Sequence, residues 1–92
     1  MVKTVRVRIT GLVQGVGYRA WTEQAARQRG LSGWVRNRRD GSVEALISGG
    51  EEAVTEMLGY FWQGPPACRV ERVEAEPAAA PMQLGFRTLP TA

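Results

Sequence analysis

A chain of 92 residues with a formal charge of +3 has room for one small domain, with a core only just large enough to fold without staples. It holds no histidine and a single cysteine, Cys68. That excludes Ser-His-Asp and Cys-His catalysis, phosphohistidine chemistry, histidine-ligated zinc and an intramolecular disulfide.

Val5, Val7 and Ile9 alternate with Arg6, Arg8 and Thr10, the period-two pattern of a half-buried strand. The segment Met1–Arg6 contains no continuous apolar run, so neither a signal peptide nor a membrane span is expected there. A cytoplasmic protein with no membrane partner is the expectation. Gly11–Tyr18 is a loop. Arg19–Arg29 lacks Gly and Pro, places Tyr18, Trp21 and Ala25 on one helical face, and stops at Gly30.

Trp34–Arg38 predicts a second strand, and Asn37–Gly41 a turn in which Asp40-Gly41 tolerates positive φ. In the third strand Val43, Ala45 and Ile47 alternate with Ser42, Glu44 and Leu46, until Gly49-Gly50 breaks it. A second helix opens with Glu51 and Glu52, whose charge complements the helix dipole. Its stripe of Val54, Met57, Leu58, Phe61 and Trp62 follows helical spacing and is assigned to the core, and Gly64-Pro65-Pro66 ends it. Cys68–Glu76 is a fourth strand in which Val70 and Val73 fall out of period, suggesting a bulge. Residues 77–81 form a loop and Gln83–Leu89 a short final strand.

The order β-α-β-β-α-β plus a terminal strand predicts an α+β, ferredoxin-like sandwich. Two helices should cover one face of an antiparallel sheet, in a single domain over residues 1–92.

Gly11, Gly15 and Gly17 stand between a strand and a helix, and Arg19 sits where that helix begins. In such a turn successive backbone N–H groups converge, and the positive end of the helix dipole reinforces them. A cation is unfavourable at a helix N-terminus unless an anion rewards both. The loop therefore reads as a cradle for a phosphoryl-type oxyanion, with Arg19 supplying a planar fork of donors. Gln14, Gly15, Val16, Gly17 and Tyr18 would bind through backbone N–H groups, their side chains mattering less, with Val16 and Tyr18 packing the loop onto the first helix. Asn37, read from its position alone, is a turn residue, although its amide can both accept from and donate to a water.

Gly15–Ala20 fits the G-x-G-x-x-A dinucleotide fingerprint, but Gly11–Gln14 intervene after the strand and no parallel βαβ array fits this length. Arg19, Arg36, Arg38 and Arg39 could steer a small anion to the cradle, or a basic face could bind nucleic acid. The strand Val5–Ile9 offers no aromatic platform, which disfavours RNA recognition. Arg27, Arg29, Arg69, Arg72 and Arg87 are assigned to solvated surface.

The run Gly11-Leu12-Val13-Gln14-Gly15-Val16-Gly17-Tyr18-Arg19 resembles G-x-V-Q-G-V-x-[FY]-R, the signature loop of the acylphosphatase family. Gly33–Val43 and Gly64–Val73 resemble two further stretches of that family, so the likeness spans nearly the whole chain. It implies the same ferredoxin-like fold and hydrolysis of small acyl phosphates to a carboxylate and inorganic phosphate. It also implies a phosphate loop over Gln14–Arg19 and an attacking water oriented by Asn37. No cofactor or metal is expected, inorganic phosphate or sulfate should act as site ligands, nucleic acid is disfavoured, and a monomer is expected. The alternative is a non-catalytic oxyanion or nucleic-acid binding module on the same fold.

Overall fold

Val5, Val7 and Ile9 are buried while Arg6 and Arg8 are exposed, so the first strand, β1 (Val2–Leu12), turns one face to the core and the other outward. This computed structural model describes residues 1–92. After β1 come α1 (Tyr18–Gln28), β2 (Ser32–Asn37), β3 (Val43–Gly50), α2 (Glu51–Phe61), β4 (Arg69–Pro77) and β5 (Phe86–Thr88). The sheet order is β4-β1-β3-β2-β5. Tyr18, Ala25 and Ala26 of α1 and Val54, Met57 and Phe61 of α2 close over the buried strand residues. The result is a ferredoxin-like α+β sandwich with an extra C-terminal strand. No helix is long and apolar enough to cross a membrane.

The antiparallel sheet is extended by the extra C-terminal strand in a parallel sense. β1 pairs antiparallel with β3 and β4, and β2 antiparallel with β3, but β5 runs parallel to β2. The sheet is therefore mixed. The long connection from β4 brings the chain back so that Phe86, Arg87 and Thr88 lie beside Gly33, Trp34 and Val35. β5 is also shorter than Gln83–Leu89, because only those three residues find a ladder partner.

Other boundaries move for similar reasons. β1 carries on through Gly11 and Leu12 because β4 supplies partners for both. β3 includes Gly49 and Gly50, which pair with Lys3 and Val2 rather than breaking the strand. The bulge is where the period of Val70 and Val73 placed it: Thr10 faces Arg72 while Gly11 faces Val70, leaving Glu71 as the extra residue. Trp62 leaves the core stripe, being the C-cap of α2 and about half exposed. Tyr18 packs against Trp21 of α1, ring centroids 5.3 Å apart, and also against α2, its hydroxyl donating to the Phe61 carbonyl at 2.7 Å and its ring stacked with that of Phe61. Burial pushes its phenol up from the ordinary tyrosine range.

Candidate functional site

The chain leaves β1 at Leu12 and enters α1 at Tyr18 through a loop whose Gly15 and Gly17 have φ of 74° and 82°. A side chain at either would meet open space, so backbone conformation rather than crowding calls for glycine there. Gly17 is the N-cap of α1 in the left-handed conformation, with no side chain capping the helix and no acidic residue in its first turn. The first N–H groups of a helix have no intrahelical acceptor. In the loop, the N–H groups from Gln14 to Gly17 also donate to no protein acceptor. A set of unpaired donors thus lies at the positive end of the α1 dipole.

Arg19 stands in that first turn, half-buried, and forms no ion pair or hydrogen bond with the protein. It lines an open cavity of about 320 Å³ together with Gly15, Gly17, Tyr18, Glu23, Asn37 and Thr88. Asn37 is the last residue of β2, on the same side of the strand as buried Val35, which points it toward the α1 N-terminus. Its side-chain oxygen is buried and accepts no hydrogen bond from the protein. A buried acceptor of this kind costs free energy unless a ligand or water satisfies it. Its backbone carbonyl, by contrast, accepts from the Ala92 N–H at 3.0 Å, so the strand end is held while the amide is free.

Gln14 ties the loop to a distant turn. Its side chain is engaged within the protein: Nε2 donates to the Arg38 carbonyl at 2.7 Å and to the Ser42 carbonyl at 2.9 Å. Those carbonyls also accept from Gly41 N–H and Arg38 N–H, closing the β2–β3 turn. One amide therefore ties the loop to the turn beside Asn37. Asp40 stiffens the same turn: its Oδ1 accepts from the Ser42 hydroxyl and N–H, and those bonds hold its carboxyl below the usual range. Sequence reasoning also passed over Glu23 and Thr88 as cavity residues. Glu23 could have been found from its position four residues after Arg19; Thr88 could not, since it arrives through the parallel pairing of β5.

The other arginines expected to steer an anion are placed elsewhere. Arg36 Nε lies 2.7 Å and Arg38 Nη1 3.3 Å from Glu44 Oε1, Arg8 pairs with Asp40 and Arg6 with Glu76. These pairs line a larger cleft of about 600 Å³ on the sheet face away from the helices. Arg39 is exposed and unpaired. Arg27 and Arg29, assigned to solvated surface, do more than that. Arg27 donates to the Phe86 carbonyl, and Arg29 pairs with Glu56 and lies over the Tyr60 ring.

The acylphosphatase family model matches residues 5–88. The chain belongs to the acylphosphatase family. It is 54% identical over 89 residues to the acylphosphatase of Rhodospirillum rubrum, covering 97% of this chain and 98% of that protein. The structure of an acylphosphatase from Coxiella burnetii superposes with a TM-score of 0.92 at 30% identity, over 96% of this chain and 93% of the other. The acylphosphatase of Bacillus subtilis gives a TM-score of 0.89 at 32% identity, over 97% and 99% of the two chains. The acylphosphatase resemblance of Gly11–Arg19 thus extends to the entire sandwich, β5 included.

Proposed function

We propose that this protein hydrolyses the carboxyl–phosphate anhydride of small acyl phosphates, releasing a carboxylate and inorganic phosphate. The observation that carries this reading is the meeting of two unpaired sets in one cavity. Arg19, whose guanidinium is free, lines it beside Gly15, Gly17 and Tyr18 at the uncapped start of α1; Asn37, whose buried amide oxygen accepts no hydrogen bond from the protein, lines it too. The first set matches phosphoryl oxygens in charge and geometry. The second matches a water, which donates to Asn37 Oδ1 and accepts from its amide N–H.

In this reading the loop and Arg19 hold the phosphoryl group and stabilise the charge spread over its oxygens as the bond to the acyl oxygen breaks. Asn37 orients the water for attack on phosphorus. The departing carboxylate is a weak base and needs little protonation, which suits a site without histidine. The proton of the attacking water passes to the substrate phosphate. Catalysis is then positioning and electrostatics. No metal is required in this scheme, and the carboxylates that could hold one do not converge. Glu23 lines the cavity, whereas Asp40 and Glu44 line the cleft on the other sheet face.

The test is incubation of the purified protein with benzoyl phosphate or acetyl phosphate, following phosphate release. Release well above the spontaneous rate is expected, surviving EDTA and alkylation of Cys68, with inorganic phosphate and sulfate as competitive inhibitors. Phosphate binding with no turnover would leave an oxyanion-binding module instead.

A further inference from the structure

Arg19 and Glu23 stand one helical turn apart on α1, a spacing that brings opposite charges together on a helix surface. Both line the same cavity, yet they form no ion pair. The reason is visible at both carboxylate oxygens. Glu23 Oε2 accepts from the Thr88 hydroxyl at 2.7 Å, and Oε1 lies 2.7 Å from Arg27 Nη2, the next turn along. Arg27 is itself held by β5: its Nε and Nη2 donate to the Phe86 carbonyl at 3.2 Å and 3.0 Å. β5 thus grips Glu23 twice, directly through Thr88 and indirectly through Phe86 and Arg27.

We infer that this grip keeps Glu23 from occupying Arg19, so that the guanidinium stays available to a phosphate. Thr88 and Arg27 are positioning residues acting through Glu23, and β5 gains a part in site electrostatics beyond extending the sheet. Without the Thr88 bond the carboxylate keeps only its pair with Arg27, and Arg19, one turn the other way along α1, competes with Arg27 for it. A phosphate then has to displace it and binds more weakly. The inference rests on the reading of the cavity as a phosphate site.

The test compares Thr88→Val, Thr88→Ser and Glu23→Gln singly, and Thr88→Val with Glu23→Gln combined. Inorganic phosphate affinity is measured by titration calorimetry, and KM and kcat with benzoyl phosphate. Valine suits a strand position as well as threonine does, so the fold is retained. Thr88→Val should weaken phosphate binding and raise KM about two- to fivefold, the scale of an exposed ion pair, with kcat little changed. Thr88→Ser keeps the hydroxyl and should match wild type. The combined variant should return to wild-type affinity, because an uncharged amide at position 23 cannot neutralise Arg19. Unchanged phosphate affinity in Thr88→Val overturns the inference. So does a combined variant as weak as Thr88→Val, since a purely structural Thr88 would not be rescued by changing Glu23. Wild-type protein that neither binds phosphate nor hydrolyses benzoyl phosphate overturns the reading of the site, and the inference with it.

Discussion

Arg19 and the arginines on the uncovered face of the sheet have opposite fates. On the face away from the helices, Arg6, Arg8, Arg36 and Arg38 each meet a carboxylate, and Arg36 also lies 4.7 Å over the Trp34 ring centroid. At the helix-covered end Arg19 meets none, although Glu23 stands within a turn of it. A paired guanidinium offers little to a ligand, because its charge and donors are already engaged. A free one beside uncapped backbone N–H groups keeps both. Cavity size points the other way, since the cleft among the paired arginines is the larger. The state of the donors, not the volume, distinguishes a place where an anion can bind.

The largest effect should come at Arg19. Arg19→Ala and Arg19→Lys are both expected to lower turnover of benzoyl phosphate by about 10²–10³, lysine failing because it keeps the charge without the planar fork. Circular dichroism should show the fold unchanged. An Arg19→Lys enzyme within a fewfold of wild type would remove the free guanidinium from the mechanism and with it the basis of the contrast.

Asn37→Ala comes next. Losing the group that orients the water should lower kcat on the order of 10²-fold, while inorganic phosphate still competes with wild-type affinity. Lost phosphate binding with normal kcat would move Asn37 from the water to the phosphate. A fall in thermal stability with no specific kinetic defect would return it to the status of a turn residue.

Gln14→Met keeps the length of the side chain and removes both donors to the β2–β3 turn. Each lost hydrogen bond is worth about 0.5–1.5 kcal/mol in stability. With loop and turn no longer tied, kcat should fall by about tenfold, between the effect at Asn37 and none. Denaturant unfolding alongside steady-state kinetics separates the two consequences. A variant with unaltered kcat would show that the spacing of loop and turn is set by the rest of the fold.

Arg36→Gln should do least. Its partner Glu44 is also close to Arg38, and the pair lies on the far side of the sheet. Activity should stay within about twofold and stability should fall by no more than about 1 kcal/mol. A loss of activity approaching that of Arg19→Ala would break the comparison and bring the uncovered face into the reaction.

Much of the molecule is legible in the sequence. Alternation in β1, the helical stripe through Val54, Met57 and Phe61, and the out-of-period Val70 and Val73 each led to the element observed, bulge included. Each is a local pattern, repeated often enough within one segment to report which side is buried. Trp62 and the Gly49-Gly50 pair depart from their local patterns because burial and pairing at an element's end depend on what packs there, not on the period within it. Likewise the parallel course of β5 is absent from any short stretch, since three residues carry no mark of their neighbour's direction.

The candidate site divides along the same line. The sequence alone determined that a glycine-rich loop opens a helix at Arg19, because left-handed turn geometry and dipole direction follow from residues adjacent in the chain. It could not determine which arginines are free. Arg8 meets Asp40, Arg36 meets Glu44 and Gln14 meets Arg38 and Ser42 through strand register and through the approach of a loop to a distant turn. Glu23 is turned toward Thr88 by a strand 65 residues away. Charge partners are chosen by whatever the finished fold brings within a few ångströms, and only the tertiary structure decides that Arg19 is left without one.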